Sequence, residues 1–230
     1  MKASFLSIAL VGCLCLQARA DFTIVQKVEG KGSGSEITLK LKGDKIRMEA
    51  TPQMTMIVDG KTGDTLTLMN PQKKFLRISG DKAKAIAELT TKYGGGTAEK
   101  TKLTATGKKM TINGYEAEEY VGETKIFKAS YWIAPSFPDS TAIMQQLQAV
   151  IPAAWNDMAK GMMDYRDLPG FPLRTVVKTN DGEIISTVTA IKRDPLSDAE
   201  FSVPKDFQEM KIPNVQVSGD NPTPAAPPKP

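Results

Sequence analysis

The sequence contains no histidine, and its two cysteines, Cys13 and Cys15, both fall within the first twenty residues. The first absence removes Ser-His-Asp and Cys-His catalysis and zinc sites built on imidazole and thiolate. The second leaves a chain processed after residue 20 without thiol chemistry and without a disulfide framework, so its stability must come from an ordinary core. A strong charge imbalance is missing too. Basic residues number 30 against 26 acidic ones, and the loss of Lys2 and Arg19 with the leader lowers the net charge from +4 to +2. That balance excludes nucleic acid as an expected partner. The apolar run at the N-terminus is shorter than the roughly 20 residues a membrane-spanning helix needs.

What the N-terminus does hold is a targeting pattern. Lys2 supplies the positive start, Phe5 to Leu16 the apolar run, and Ala18-Arg19-Ala20 a small-x-small cleavage site. Residues 1–20 are therefore expected to be a signal peptide, with a mature chain from Asp21 that is periplasmic or secreted. Leu10-Val11-Gly12-Cys13 resembles a lipobox, and the alternative is a lipoprotein anchored through Cys13. Residues 21–213 are expected to form a single β-rich domain. From Asn214 to Pro230 the chain is polar and proline-rich and buries too little apolar surface to fold, which predicts a disordered, partly extended tail.

Between these ends, period-two alternation dominates. Ile37, Leu39 and Leu41 alternate with polar neighbours, as do Ile46 and Met48, and Leu66 and Leu68. This is the mark of a sheet with one dry and one wet face. The connectors Gly43-Asp44, Asp59 to Asp64 and Asn70-Pro71-Gln72-Lys73 are too short for parallel crossovers, so an antiparallel meander is expected. Asp81 to Lys92 reads as a short helix ended by Gly94-Gly95-Gly96. Strands resume at Lys102–Ala105 and Lys109–Ile112, and Asn113-Gly114 signals a hairpin into Tyr115–Val121. Ile126–Ala134, Leu173–Thr179 and Glu183–Lys192 follow as strands, and Phe201-Ser202-Val203-Pro204 is a candidate edge segment.

The longest amphipathic pattern begins after Pro138. Ile143, Leu147, Val150, Ile151, Ala154, Met158 and Met162 follow helical spacing, with Trp155 beside the stripe and Asp139 or Ser140 as a candidate N-cap. Pro152 interrupts it, predicting a kink or two helices, with the part after Pro152 acting as a flap. The stripe reads either as plain core or as one wall of a ligand groove. Its methionines, Met144, Met158, Met162 and Met163, suit varied apolar partners.

The remaining chemical signals are weak. Gly60-Lys61-Thr62 resembles the end of a phosphate loop, but the earlier glycine is missing and a strand follows. Glu116, Glu118 and Glu119 read as a solvated outer face, as do Asp194, Asp198 and Glu200 around Pro195. Lys61, Lys73, Lys74 and Arg77 read as a lysine-guarded edge strand. No metal site, no cofactor and no catalytic residue emerges, and the chain is not expected to be an enzyme. Trp132 falls on the strand face opposite Phe127, Ala129, Tyr131 and Ile133, either as core or interface or as a ligand contact.

Ile112-Asn113-Gly114-Tyr115-Glu116-Ala117-Glu118-Glu119-Tyr120, Tyr131-Trp132-Ile133-Ala134, Gly170-Phe171-Pro172-Leu173-Arg174 and Phe201-Ser202-Val203-Pro204 together resemble the secreted bacterial family known as domain of unknown function 4412. That family looks like a relative of the LolA/LolB-type lipoprotein carriers. The resemblance implies a mainly β, α+β fold: a curved antiparallel sheet or unclosed β-barrel, with helices over the concave face and an apolar cavity between. No arginine here matches the carriers' lid-locking arginine, so lipoprotein carriage is not implied. The resulting expectation is a monomeric, non-enzymatic binding protein for a lipid or other hydrophobic ligand. Trp132, Met144, Leu147, Ile151, Trp155 and Met158 are the candidate lining residues. The rival expectation is a cell-envelope protein-interaction module that uses the proline-rich tail.

Overall fold

Alternation builds one sheet here, but both of its faces are put to use. The computed structural model describes residues 20–30, 34–93, 102–123, 128–150, 167–179 and 182–210. In chain order these form β1 (Phe22–Glu29), β2 (Ser35–Lys42), β3 (Lys45–Thr51), β4 (Met54–Asp59), β5 (Thr65–Met69) and β6 (Lys74–Ile78). Helix α1 (Gly80–Tyr93) follows, then β7 (Lys102–Ile112), β8 (Tyr115–Glu123), β9 (Lys128–Ile133) and helix α2 (Ser140–Val150). The chain ends in β10 (Pro172–Thr179), β11 (Gly182–Lys192), a 3-10 helix (Asp198–Phe201) and β12 (Gln208–Glu209).

The strands make one curved, unclosed sheet in the order β12-β6-β5-β4-β3-β2-β1-β11-β10-β9-β8-β7. The fold class is therefore the expected one, mainly β with helices. Two meanders are joined where β1 pairs antiparallel with both β2 and β11. Phe22 and Ile24 on this central strand are fully buried. The hairpin at Asn113-Gly114 forms as read: both residues have positive φ, 51° and 83°, as a two-residue type I′ turn requires. Lys102–Ile112 is a single strand rather than two, interrupted by a register shift between Ala105 and Lys109 where Gly107 takes φ 74°.

Register decides what each face carries. One face aligns Leu41, Ile46 and Val58 in one row and Leu39, Met48 and Met56 in the next. Helix α2 packs over this face, against β2 and β3. Its ends are fixed by close approach. The Ser140 hydroxyl accepts from the Phe171 N–H at 2.8 Å, and a Cβ on Gly170 would lie 2.7 Å from that oxygen. At the other end, a Cβ on Gly60 would sit 2.5 Å from both the Ala149 carbonyl oxygen and the Val150 Cα. Only glycine lets the β4–β5 turn touch the helix backbone there. Ser140 thus starts α2 but spends its oxygen on Phe171, and the Asp139 carboxylate pairs with Arg193.

The opposite face aligns Ile57 with Leu66 and Leu68 with Phe75. The chain after β11 crosses this face and buries Phe201 against those four residues. Ion pairs and a backbone hydrogen bond accompany this plug. Lys40 pairs with Glu200 at 2.5 Å, Lys42 with Asp198 at 2.8 Å, and an Arg47 N–H donates to the Glu200 carbonyl at 2.8 Å. Ser197 and Glu200 form a reciprocal capping box around the short helix. Glu200, read from sequence as solvated, is therefore a partly buried clamp residue, while Asp198 pairs with Lys42 from the solvent-exposed position it was read to have. Phe201–Pro204 is not an edge segment. The edge is β12, which runs parallel to β6 and covers it, so Lys73, Lys74 and Arg77 do not guard a free edge. Lys73 instead meets Asp206 at 2.9 Å.

Glu119 also departs from its reading as a solvated carboxylate. It is 7% exposed, accepts from the Thr106 hydroxyl at 2.9 Å and lies 3.4 Å from Lys108 Nζ. Burial raises its pKa, but hydrogen bonds from Ser130 and Thr106 and the charge of Lys108 outweigh this and hold it below the ordinary 4.5. A depressed folded value means its contribution to stability is fully present above the ordinary value and is lost as pH falls through the folded one. Glu119→Gln is expected to cost about 1–3 kcal/mol at pH 7 and to flatten the acid limb below pH 4.5. Urea unfolding of both proteins between pH 7 and pH 3 checks this. A parallel loss at every pH would refute it.

Candidate functional site: an apolar cavity beneath α2

Between α2 and strands β2, β3 and β4 lies a cavity of about 280 Å³. Ile37, Leu39, Ile46, Met48, Met56 and Val58 form its floor, Leu147 and Val150 of α2 its roof, and Phe171 one end. Gln26 is the one polar side chain among its described lining. A second pocket of about 270 Å³ adjoins it and shares Gln26, Ile37 and Phe171. Together they come within the roughly 300–1,000 Å³ range of small-molecule sites. No titratable side chain occurs among the described lining of either pocket.

The local sequence explains this shape. Residues 22, 24, 26 and 28 of β1 point to the α2 face, and the third of them is glutamine instead of a hydrophobe. β1 shifts register against β11 between Val25 and Gln26, and the Ser186 hydroxyl donates to Gln26 Oε1 at 2.9 Å. Gln26, shared by both pockets, is thus hydrogen-bonded to Ser186, which lines the second. Met48 and Met56, cross-strand partners, give the floor two unbranched, adaptable side chains. Such a site can sequester an apolar chain and orient one hydrogen-bonding group. Its described lining carries hydroxyls at Thr175 and Ser186 but no titratable group, and no group of three or more Asp, Glu, His or Cys placed to hold a metal occurs among the described residues.

The sequence-derived candidates separate. Leu147 lines the cavity. Met144 is 6% exposed and sits in the main core cluster, outside the described lining. Trp132 faces the other side of the sheet, in register with Glu119 and Arg174, in a groove of mixed character with Lys108, Val121, Ser130 and Val176. Ile151, Trp155 and Met158 lie outside the described residues, as do Pro152 and the tail from Asn214. Alternation marked Ile37, Leu39, Ile46 and Met48 as inward-facing, without naming them as lining residues. Gln26, Met56, Val58 and Phe171 went unmarked, although a lone glutamine at an inward position of β1 was a usable signal.

The sequence matches the family described as domain of unknown function (DUF4412) over residues 22–207, and the chain belongs to that family. No curated protein matches it. Among solved structures, it is similar to PNGF-II at 14% identity and TM-score 0.42, covering 83% of this chain and 31% of that one. The chain thus spans about a third of PNGF-II. It is similar to the Mycobacterium tuberculosis lipoprotein LppX at 12% identity and TM-score 0.38, covering 77% and 88% of the two chains. MucB, also solved in complex with MucA(peri), is similar at 10% identity and TM-score 0.37, covering 82% of this chain and 59% of that one. At TM-scores below 0.5 these are distant likenesses.

Proposed function

We propose that this is an exported, non-enzymatic binding protein that holds an apolar ligand, such as a lipid acyl chain, between β2–β4 and α2. The carrying observation is the apolar cavity with one polar pair at its shared wall. An apolar hollow between sheet and helix, with a single polar side chain among its described lining, has the make-up of a small-molecule site, which favours a ligand over simple core. The N-terminal targeting pattern supports a place outside the cytoplasm, periplasmic or secreted. Protein purified from the cell envelope should carry an organic-extractable lipid identifiable by mass spectrometry, and the stripped protein should enhance the fluorescence of an apolar dye. Protein that is consistently empty and does not enhance the dye would overturn the reading and favour an interaction module instead.

A further inference from the structure

Gln146 on α2 is 3% exposed, yet its amide is only half satisfied. Nε2 donates to the Ala20 carbonyl at 2.6 Å. Oε1 is buried with no hydrogen-bond partner among the described residues. A buried orphan acceptor is costly and calls for a physical reason. The location supplies one. Ala20 ends the small-x-small pattern, so the amide stands over the bond at which the leader is read to leave. The Asp21 nitrogen is ~2.2 Å from the Ala20 oxygen by standard peptide geometry. The rest of Asp21 is held from other sides: its Oδ2 accepts from the Leu196 N–H at 2.8 Å, and Phe22 beside it is 1% exposed.

We propose that Gln146 is the receptor for the free amino terminus of the processed chain. This rests on the export reading, with cleavage after Ala20 by a leader-removing protease. Water is the co-reactant. Its oxygen joins the Ala20 carbonyl carbon as the C–N bond breaks, Ala20 leaves as a carboxylate, and Asp21 keeps an α-ammonium. The neutral peptide N–H becomes a cation with three donors, and Gln146 Oε1 accepts from it. Charge-assisted hydrogen bonds are roughly twice as strong as neutral ones. Nε2 loses the Ala20 oxygen and is left to donate to water. The Asp21 carboxylate, fixed by Leu196, offsets part of the new charge. Processing then pins α2, which supplies Leu147 and Val150 to the cavity roof, to the start of β1.

The test uses exported protein, first by intact mass and N-terminal sequencing, then by acetylation of the α-amine with an amine-reactive ester at pH 7. The expected start is Asp21, with acetylation at least tenfold slower than in an unstructured peptide beginning Asp-Phe. Gln146→Leu should restore the peptide rate. Gln146→Glu, which keeps an acceptor and adds a charge, should acetylate more slowly still and raise the pH midpoint of the reaction. That second variant carries the test if the leucine variant does not fold. A mature chain beginning at Cys13 would overturn both the cleavage reading and the receptor. An Asp21 terminus that acetylates at the peptide rate would overturn the receptor alone. Neither outcome bears on the apolar ligand.

Discussion

A Leu147→Trp protein is expected to lose apolar-ligand binding by at least a hundredfold while remaining folded. Leu147 is one of the two described roof side chains over a cavity of about 280 Å³, and an indole directed downward occupies the volume a ligand chain needs. Filling pre-existing space differs from overpacking a close-packed core, which typically costs 1–3 kcal/mol. Thermal stability should therefore hold or rise. Met48→Phe with Met56→Phe fills the same space from the floor, so a folding defect in one design does not leave the question open. Dye titration and thermal melts of both proteins check the result. Undiminished binding in two stable, filled proteins would move the ligand site away from α2.

Phe201→Ala should do the reverse. Phe201 is 4% exposed and packs on Ile57, Leu66, Leu68 and Phe75, on the sheet face away from the cavity. Removing a buried aromatic ring costs about 3–5 kcal/mol. For a domain of this size that lowers Tm by roughly 6–20 °C. The Lys40–Glu200 and Lys42–Asp198 pairs would then hold the chain segment without its plug, and exposed or half-exposed ion pairs contribute little alone. Dye affinity per folded molecule should stay within about twofold, since the sheet lies between plug and cavity. A large loss of affinity with little loss of stability would mean that the outer segment shapes the cavity through the sheet.

The two faces of β2–β6 show how far sequence reading carries. Alternation located Ile37, Leu39, Leu41, Ile46 and Met48 on one face, and the structure keeps them together beneath α2. It also marked Leu66 and Leu68, but could not tell that they turn to the other face, because period two is the same whichever way a strand is flipped. That second face needed a cover. The capping-box residues Ser197 and Glu200 and the plug Phe201 are separated from β4 and β5 by more than a hundred residues. Trp132 was assigned correctly to the face opposite Tyr131 and Ile133. Its neighbours there, Arg174 and Glu119, follow only from strand pairing.

The sequence by itself determined the antiparallel meander, the Asn113-Gly114 hairpin, the helix after Pro138 and the absence of histidine. Each is a local property: alternation, positive-φ turn residues, helical spacing, composition. Tertiary structure alone decided that β1 joins two meanders, that β12 closes the β6 edge in parallel, and that Gly60 and Gly170 admit α2 so closely. It also decided that an apolar cavity meets the Gln26–Ser186 pair. These are consequences of register and close approach between distant segments. A one-residue shift or a single Cβ changes them without altering any local pattern, which is why no reading of the chain in one dimension contains them.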